Sequence, residues 1–226
     1  MKIARLAGIC LSVALSGCTF THEEKAVNAS FDFTAKVKRV IVVDPDVSLG
    51  ELTAGGLVEA RADWTAAAKG FIVADVATIL AAKNIDVVKA DKPSSDHENQ
   101  IIKLHDVVGQ EASLHTLIRL PNKGDAFDWT LGPGTNELRD QYGADYAVFI
   151  YVRDSYTTAG RAAMMIGAAM LGIGIQGGSQ AAFISLVDLR TGNIVWFNRL
   201  GSTNGDLRTD APARDVVNNL LEGIPL

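Results

Sequence analysis

Tyr146–Asp154, YAVFIYVRD, places seven apolar side chains in a row before the first charge. A short run this rich in aromatic and β-branched residues reads as a strand buried on both faces, in a sheet covered by helices on either side. Lys36–Asp44, KVKRVIVVD, begins with alternation and ends the same way, and Asp44-Pro45-Asp46 is expected to end it. Between these two strands lie helical patterns. From about Leu57 to Lys83, the residues Ala68, Ile72, Val76, Ile79 and Leu80 share one face, with Asn84 as the stop. Ile85–Lys89 is a second short strand, so the first unit reads as a parallel β-α-β crossover of right hand.

Ser95 and Glu98 form an S-x-x-E capping box, which predicts a helix from near Asp96. Ile101, Ile102, Leu104 and Val108 form its expected apolar face. Gly109 is expected to break it, with Glu111–Leu120 as a second piece. Pro121–Gly134 reads as a loop, and Thr135–Tyr142 as a short helix closed by Gly143. Gln180–Asp188 and Asn193–Asn198 are expected to pair as a hairpin across Leu189-Arg190-Thr191-Gly192. Pro212–Leu221 is the last predicted helix, with Asp210 or Ala211 at its cap. The expected fold is one α/β domain over residues 36–226. Its mixed sheet has an N-terminal parallel β-α-β unit and a C-terminal antiparallel meander, with helices packed on the sheet.

Residues 1–18, MKIARLAGICLSVALSGC, precede that domain. Lys2 and Arg5 form a basic start, Leu6–Leu15 an apolar core of secretory-signal length, and Leu15-Ser16-Gly17-Cys18 a bacterial lipobox. Residues 1–17 are therefore expected to be a signal sequence, and Cys18 the lipidated residue of the mature chain. The alternative is an ordinary signal cut after Gly17, with a free Cys18. Lipidation leaves no free thiol, because Cys10 departs with the signal; thiol catalysis, disulfides and cysteine–metal sites are then excluded. Several acyl chains on one cysteine anchor stably, at about 0.8 kcal/mol per buried CH₂. Thr19 in place of Asp, by similarity to other lipoproteins, implies the outer membrane. Thr19–Ala35 is polar and weakly periodic and is expected to be a tether.

Composition bounds the function. The chain has 226 residues, 48% hydrophobic and 21% charged, with a net charge of −5. That suffices for one core and argues against nucleic-acid binding, which needs a basic face. Gly172-Ile173-Gly174-Ile175-Gln176-Gly177 matches G-x-G-x-x-G, but a strand is expected after it rather than before, so it reads as a glycine-rich turn. His97, His105 and His115 fall at spacings of eight and ten on a polar helical region, where solvated histidines are expected and no metal site. Asp154 and Asp188 end neighbouring predicted strands. They are read as strand-ending turn residues, with a carboxylate pair as the alternative. No enzyme activity, metal or cofactor is expected.

Ala162–Ile175, AAMMIGAAMLGIGI, carries no charge over 14 residues and holds three of the four methionines. It stands where a hairpin turn would suffice. Ala163 and Gly167, and Ala168 and Gly172, are small residues four apart, which let another surface approach closely. Methionines suit an adaptable apolar contact. Three readings stand: core of the same domain, an exposed patch that mates with a subunit or partner, or a membrane-inserting hairpin. The interaction reading, with self-association foremost, centres on Met164, Met165, Ile166, Gly167, Met170, Leu171 and Gly172.

Two closing motifs carry a resemblance. Gly143-Ala144-Asp145-Tyr146 opens a strand after a short helix. Val187-Asp188-Leu189-Arg190-Thr191-Gly192-Asn193-Ile194-Val195-Trp196 ends a strand in Asp, turns through Thr-Gly and returns with an aromatic residue. Together with the lipobox and the order of elements, these motifs resemble periplasm-facing lipoproteins of the CsgG, PelC and LpoB type, over roughly Lys36–Leu200. The resemblance implies a small lipid-anchored α/β domain acting without catalysis, in secretion, assembly or activation of an envelope complex. The chain has no counterpart of the long membrane-crossing hairpins of CsgG. What remains implied is an accessory role, a homo-oligomer or envelope protein complex, and attachment to the membrane through Cys18. The alternatives are a binding module for an envelope glycan or small ligand, and a hydrolase using Asp154 and Asp188.

Overall fold

The computed structural model describes residues 21–29, 31, 39–90, 92–203 and 206–226. The signal sequence, Cys18, Thr19 and residues 36–38, where the first strand is expected to begin, lie outside these. The described chain is a single α/β domain built on one open, mixed, eight-stranded sheet.

In chain order the elements are β1 (Thr21–Val27), β2 (Arg39–Val42), β3 (Asp46–Leu52), β4 (Val58–Ala60), α1 (Ala62–Ala82) and β5 (Asp86–Lys89). There follow α2 (Asp96–Leu117), a 3₁₀ turn at Pro133–Thr135, α3 (Asn136–Tyr142), β6 (Tyr146–Thr157) and α4 (Ala159–Ala169). The chain closes with β7 (Gln180–Asp188), β8 (Ile194–Ser202) and α5 (Asp210–Leu221). Across the sheet the order is β1-β8-β7-β6-β2-β5, with β3 on the same edge of β6 beyond β2 and β4 outside β3. β2 is parallel to β5 and β6, whereas β6, β7 and β8 form the antiparallel meander.

The all-apolar reading of YAVFIYV follows from burial on two faces. Tyr146, Val148, Ile150 and Val152 point to one core, with Val40, Val42, Ala68, Ile72, Val76, Leu80, Val217 and Leu220 of β2, α1 and α5. Ala147 and Phe149 point to the other, with Ile41, Ile101, Ile102, Ala112, Leu138, Phe183 and Phe197. α1 has the length and composition of a membrane-crossing helix. Its apolar face is nonetheless committed to this core, and Asp75 pairs with Arg214 of α5 at 3.3 Å.

Three expectations are corrected. The tether contains a strand: β1 pairs antiparallel with β8 along its whole length. An edge strand is held by backbone hydrogen bonds and tolerates charge, which guards it against stray pairing, so the polar THEEKAV gives little hydrophobic signal. Its charges are used: Glu24 pairs with Arg199 at 2.9 Å, and Lys25 with Glu222 at 2.8 Å.

The strand does end ahead of Asp44-Pro45-Asp46, at Val42, but pairing along β6 resumes after it. β2 pairs with the first half of β6, and β3 takes over with the second half, Asp46 opposite Tyr151 through Leu52 opposite Thr157. The helix expected from Leu57 starts at Ala62, because Val58–Ala60 first turns back on β3. Gly109 does not break α2, which runs unbroken for 22 residues. Ser95 caps α2 as expected, its Oγ accepting from Glu98 N–H at 3.1 Å, while the Glu98 carboxylate reaches back one residue further and accepts from Ser94 N–H at 2.8 Å.

Candidate functional site

The nominated carboxylate pair is not a pair. In the β6–β7 ladder Tyr146 stands opposite Asp188, and Asp154 stands opposite Gln180. The two acids therefore end opposite ends of one antiparallel ladder, eight positions or about 27 Å apart at about 3.4 Å per residue. Each has a local task. Asp188 Oδ1 accepts from Arg190 N–H at 2.9 Å, and its carbonyl from Gly192 N–H at 2.7 Å, which closes the hairpin turn. Gly192 has φ 77°, and a Cβ there would lie 2.0 Å from Gly132 O, so the turn takes glycine alone. Asp154 Oδ2 accepts from Leu207 N–H at 2.9 Å, tying down the segment before α5. Burial pushes its carboxyl above the usual range. The hydrolase reading loses its geometry with this separation.

The expectation of solvated histidines is corrected. His105 is buried in α2, with Nε2 2.8 Å from Ser185 Oγ and its ring 4.9 Å from that of Phe149. Burial lowers its pKa to about 3, so it is neutral near pH 7. His115 is also buried, with Nε2 3.0 Å from Gly124 O. His97 reaches Gly134 O at 3.0 Å. Each is bound to a different partner, and among the described residues no group of three or more His, Cys, Asp or Glu could hold a metal ion.

One charged cluster escaped the sequence reading. Asp46, at the start of β3, pairs with Arg153 of β6 at 2.7 Å and with Lys103 of α2. Asp106, one turn on from Lys103, lies 3.4 Å from the same ammonium. Burial, then the neighbouring Asp46, pushes Asp106 up to about 7. Burial opposes ionisation of Asp46 too, but hydrogen bonds with Asp106, Lys103 and Arg153 outweigh it and hold that carboxyl below the usual range. The cluster joins α2 to the break between β2 and β3. Nothing in local spacing points to it, since its members lie on three elements.

Ala162–Ile175 is not core. α4 occupies most of it, capped by Thr158, whose Oγ1 accepts from Arg161 N–H at 3.0 Å, and it contributes no buried residue. Met164, Ile166, Met170, Leu171 and Ile173 are all exposed. Ala162, Met165, Ala168 and Ile175 are half-buried, and the Met165 methyl would meet a Cβ on Gly177 at 3.1 Å. Gly172–Gly177 follows a helix and precedes a strand, the reverse of a dinucleotide-binding arrangement.

α2 carries a second exposed apolar stripe that the periodicity misplaced. Its sheet-facing side is Ile101, Ile102, His105, Gly109 and Ala112, while Leu104, Val107, Leu114 and Leu117 face outward. A shallow cleft of about 350 Å³ lies between the β3–β4 hairpin and the ends of β6 and β7, lined by Ser48, Arg153, Asp154, Ser155 and Ser179. It is at the small end for a ligand pocket.

No family model matches the chain, and no curated protein matches it. Among solved structures the chain is similar to the PelC dodecamer from Paraburkholderia phytofirmans, at 13% identity and a TM-score of 0.40, over 89% of this chain and 95% of that one. A variant of that dodecamer gives 13% identity and a TM-score of 0.42, over 89% and 96% of the two chains. The chain is also similar to the LpoB C-terminal domain from Salmonella enterica, at 14% identity and a TM-score of 0.28, over 74% of this chain and 84% of that one.

Proposed function

We propose that this chain is a non-enzymatic lipoprotein of the bacterial outer membrane. It is anchored through Cys18, faces the periplasm, and serves as an accessory in an envelope assembly or secretion complex. The observation that carries the reading is the placement of apolar side chains outside a folded domain. α4 buries no residue, and α2 turns a stripe of Leu104, Val107, Leu114 and Leu117 to solvent. Monomeric soluble domains seldom expose contiguous apolar surface of this kind, and where they do it marks a contact. The lipobox at Leu15–Cys18 supports the anchor. The separation of Asp154 from Asp188 weighs against hydrolysis.

Two measurements in intact cells test the proposal. Cys18→Ser is expected to abolish incorporation of labelled palmitate and to leave the signal sequence uncleaved. A photo-cross-linking residue at Val107 is expected to yield a discrete adduct, with another copy or with another envelope protein. Acyl label on the Cys18→Ser chain would overturn the anchor. Absence of any adduct at Val107 and at neighbouring Leu114 would overturn the accessory role.

A further inference from the structure

The sheet register locates the point where the anchored end of the chain meets the domain. Thr21, the first residue of β1, stands opposite Ser202 of β8. Ser202 stands opposite Gln180 of β7, and Gln180 opposite Asp154 of β6. These four residues form one row at one end of the sheet, about 14 Å from β1 to β6 at a strand spacing of about 4.8 Å. β6 runs past this row to Thr157 and delivers α4, and the chain returns to the row at Gln180. Cys18 precedes Thr21 by three residues, so chain length alone keeps its Cα within about 11 Å of Thr21. The residue at which the chain from Cys18 enters the described domain, Thr21, and α4 therefore lie at the same end of the sheet.

That end is also apolar. On α4 and the residues after it, Met170 is 81% exposed and Leu171 78%. Where the β3–β4 turn enters β4, Leu57 is 71% exposed and Val58 58%. The two parts touch: Arg161 Nη1 donates to Ala54 O at 3.4 Å, and its Nη2 to Gln176 O at 2.8 Å. Arg161 is the one charge between Thr157 and Ser179, and it is engaged by these carbonyls. No acid lies in that stretch, although the chain as a whole has 26 acids against 21 bases. α4 has 11 residues, about 16 Å of helix, roughly half the hydrocarbon core of a bilayer. It is long enough to lie in the interface and too short to cross it.

We infer that α4 and residues 170–175 rest on the leaflet that holds the acyl chains of Cys18, forming a second, non-covalent membrane contact that sets the orientation of the domain. The inference rests on acylation of Cys18, as proposed above. A tether of a few residues holds this end of the sheet beside the bilayer at all times. Lipid therefore meets α4 at an effective concentration that a freely diffusing partner does not reach.

The test uses the full mature lipoprotein. With Cys18 acylated and Cys10 removed, Met170→Cys supplies the single free thiol. It is labelled with a nitrobenzoxadiazole fluorophore, and the protein is placed in vesicles of phosphatidylethanolamine and phosphatidylglycerol. Val107→Cys on α2 is labelled in the same way as the reference. The expected result is at least twofold quenching of the label at 170 by doxyl-labelled lipid, with protection from aqueous iodide, and the reverse at 107. Leu171→Glu should restore iodide access at 170, with the near-ultraviolet circular dichroism unchanged. A label at 170 open to iodide and unquenched by lipid overturns the inference. So does one shielded from both quenchers, which would assign the surface to a second copy of the chain. Mass spectrometry separates the two levels. Cys18 without acyl mass overturns the anchor and this contact together, whereas acylated protein with an exposed label overturns the contact alone.

Discussion

Gly109→Ala sets helix propensity against packing, and the structure gives both magnitudes. In an exposed helix interior the change would stabilise by about 1 kcal/mol, because glycine loses the most backbone freedom on folding. Gly109 instead faces the sheet. A Cβ there would fall 2.1, 2.6 and 2.8 Å from three ring atoms of Phe183. That ring has little room to retreat: it stacks on Tyr151 at 4.5 Å and lies 5.7 Å from Phe197 and 5.4 Å from His105. Overpacking of this kind costs about 1–3 kcal/mol, and contacts this short lie at the upper end. The net expectation is a loss of about 1–2 kcal/mol, or roughly 2–8 °C in Tm for a domain of this size. Urea unfolding followed by tryptophan fluorescence measures it. Gly109→Ala in a Phe183→Leu background should cost less than it does alone, because the smaller side chain relieves the clash. A Gly109→Ala protein as stable as the parent, or more so, would refute the view that glycine is there to let α2 lie close to β7.

Asp106→Asn tests the charged cluster. Burial and the charge of Asp46 raise Asp106 to about 7, so the folded state holds its proton while the unfolded chain releases it near pH 4. The wild type must then lose stability as pH rises from about 4 to about 7. Three pH units at about 1.4 kcal/mol each make about 4 kcal/mol the upper bound; with solvent screening at this partly solvated cluster taken to halve it, the Asn variant should gain roughly 2 kcal/mol across that window, and a pH-independent difference in urea midpoints would rule out the raised carboxyl. Asp154→Ala and Asp188→Ala should each cost about 1 kcal/mol, through the lost acceptors of Leu207 and Arg190 N–H. Because the two sites are about 27 Å apart, the double variant should be additive within about 0.5 kcal/mol; a larger coupling energy would contradict their separation.

Much of the architecture was legible locally, for a physical reason. A strand covered on both faces must be apolar throughout, so YAVFIYV and VIVV announce a sheet between helix layers before any pairing is known. Helix caps and left-handed stops are equally local: Ser95 and Glu98 start α2, and Asn84, with φ 63°, ends the α1 segment. The hairpin turn at Asp188–Gly192 follows from residues that are neighbours in sequence. β1 and β4 escaped because edge strands are held by backbone pairing, which leaves little trace in side-chain pattern. α2 was misread because its buried face is Ile101, Ile102, His105, Gly109 and Ala112. Whether a histidine and a glycine belong inside depends on Ser185 and Phe183, some eighty residues away. Asp154 and Asp188 show the same limit, since each ends a strand in sequence and only antiparallel register decides that the ends are opposite. The unusual composition of Ala162–Ile175 was plain from the chain. Its exposure, and its position at the end of the sheet that also receives residue 21, are properties of strand order, which tertiary structure alone decides.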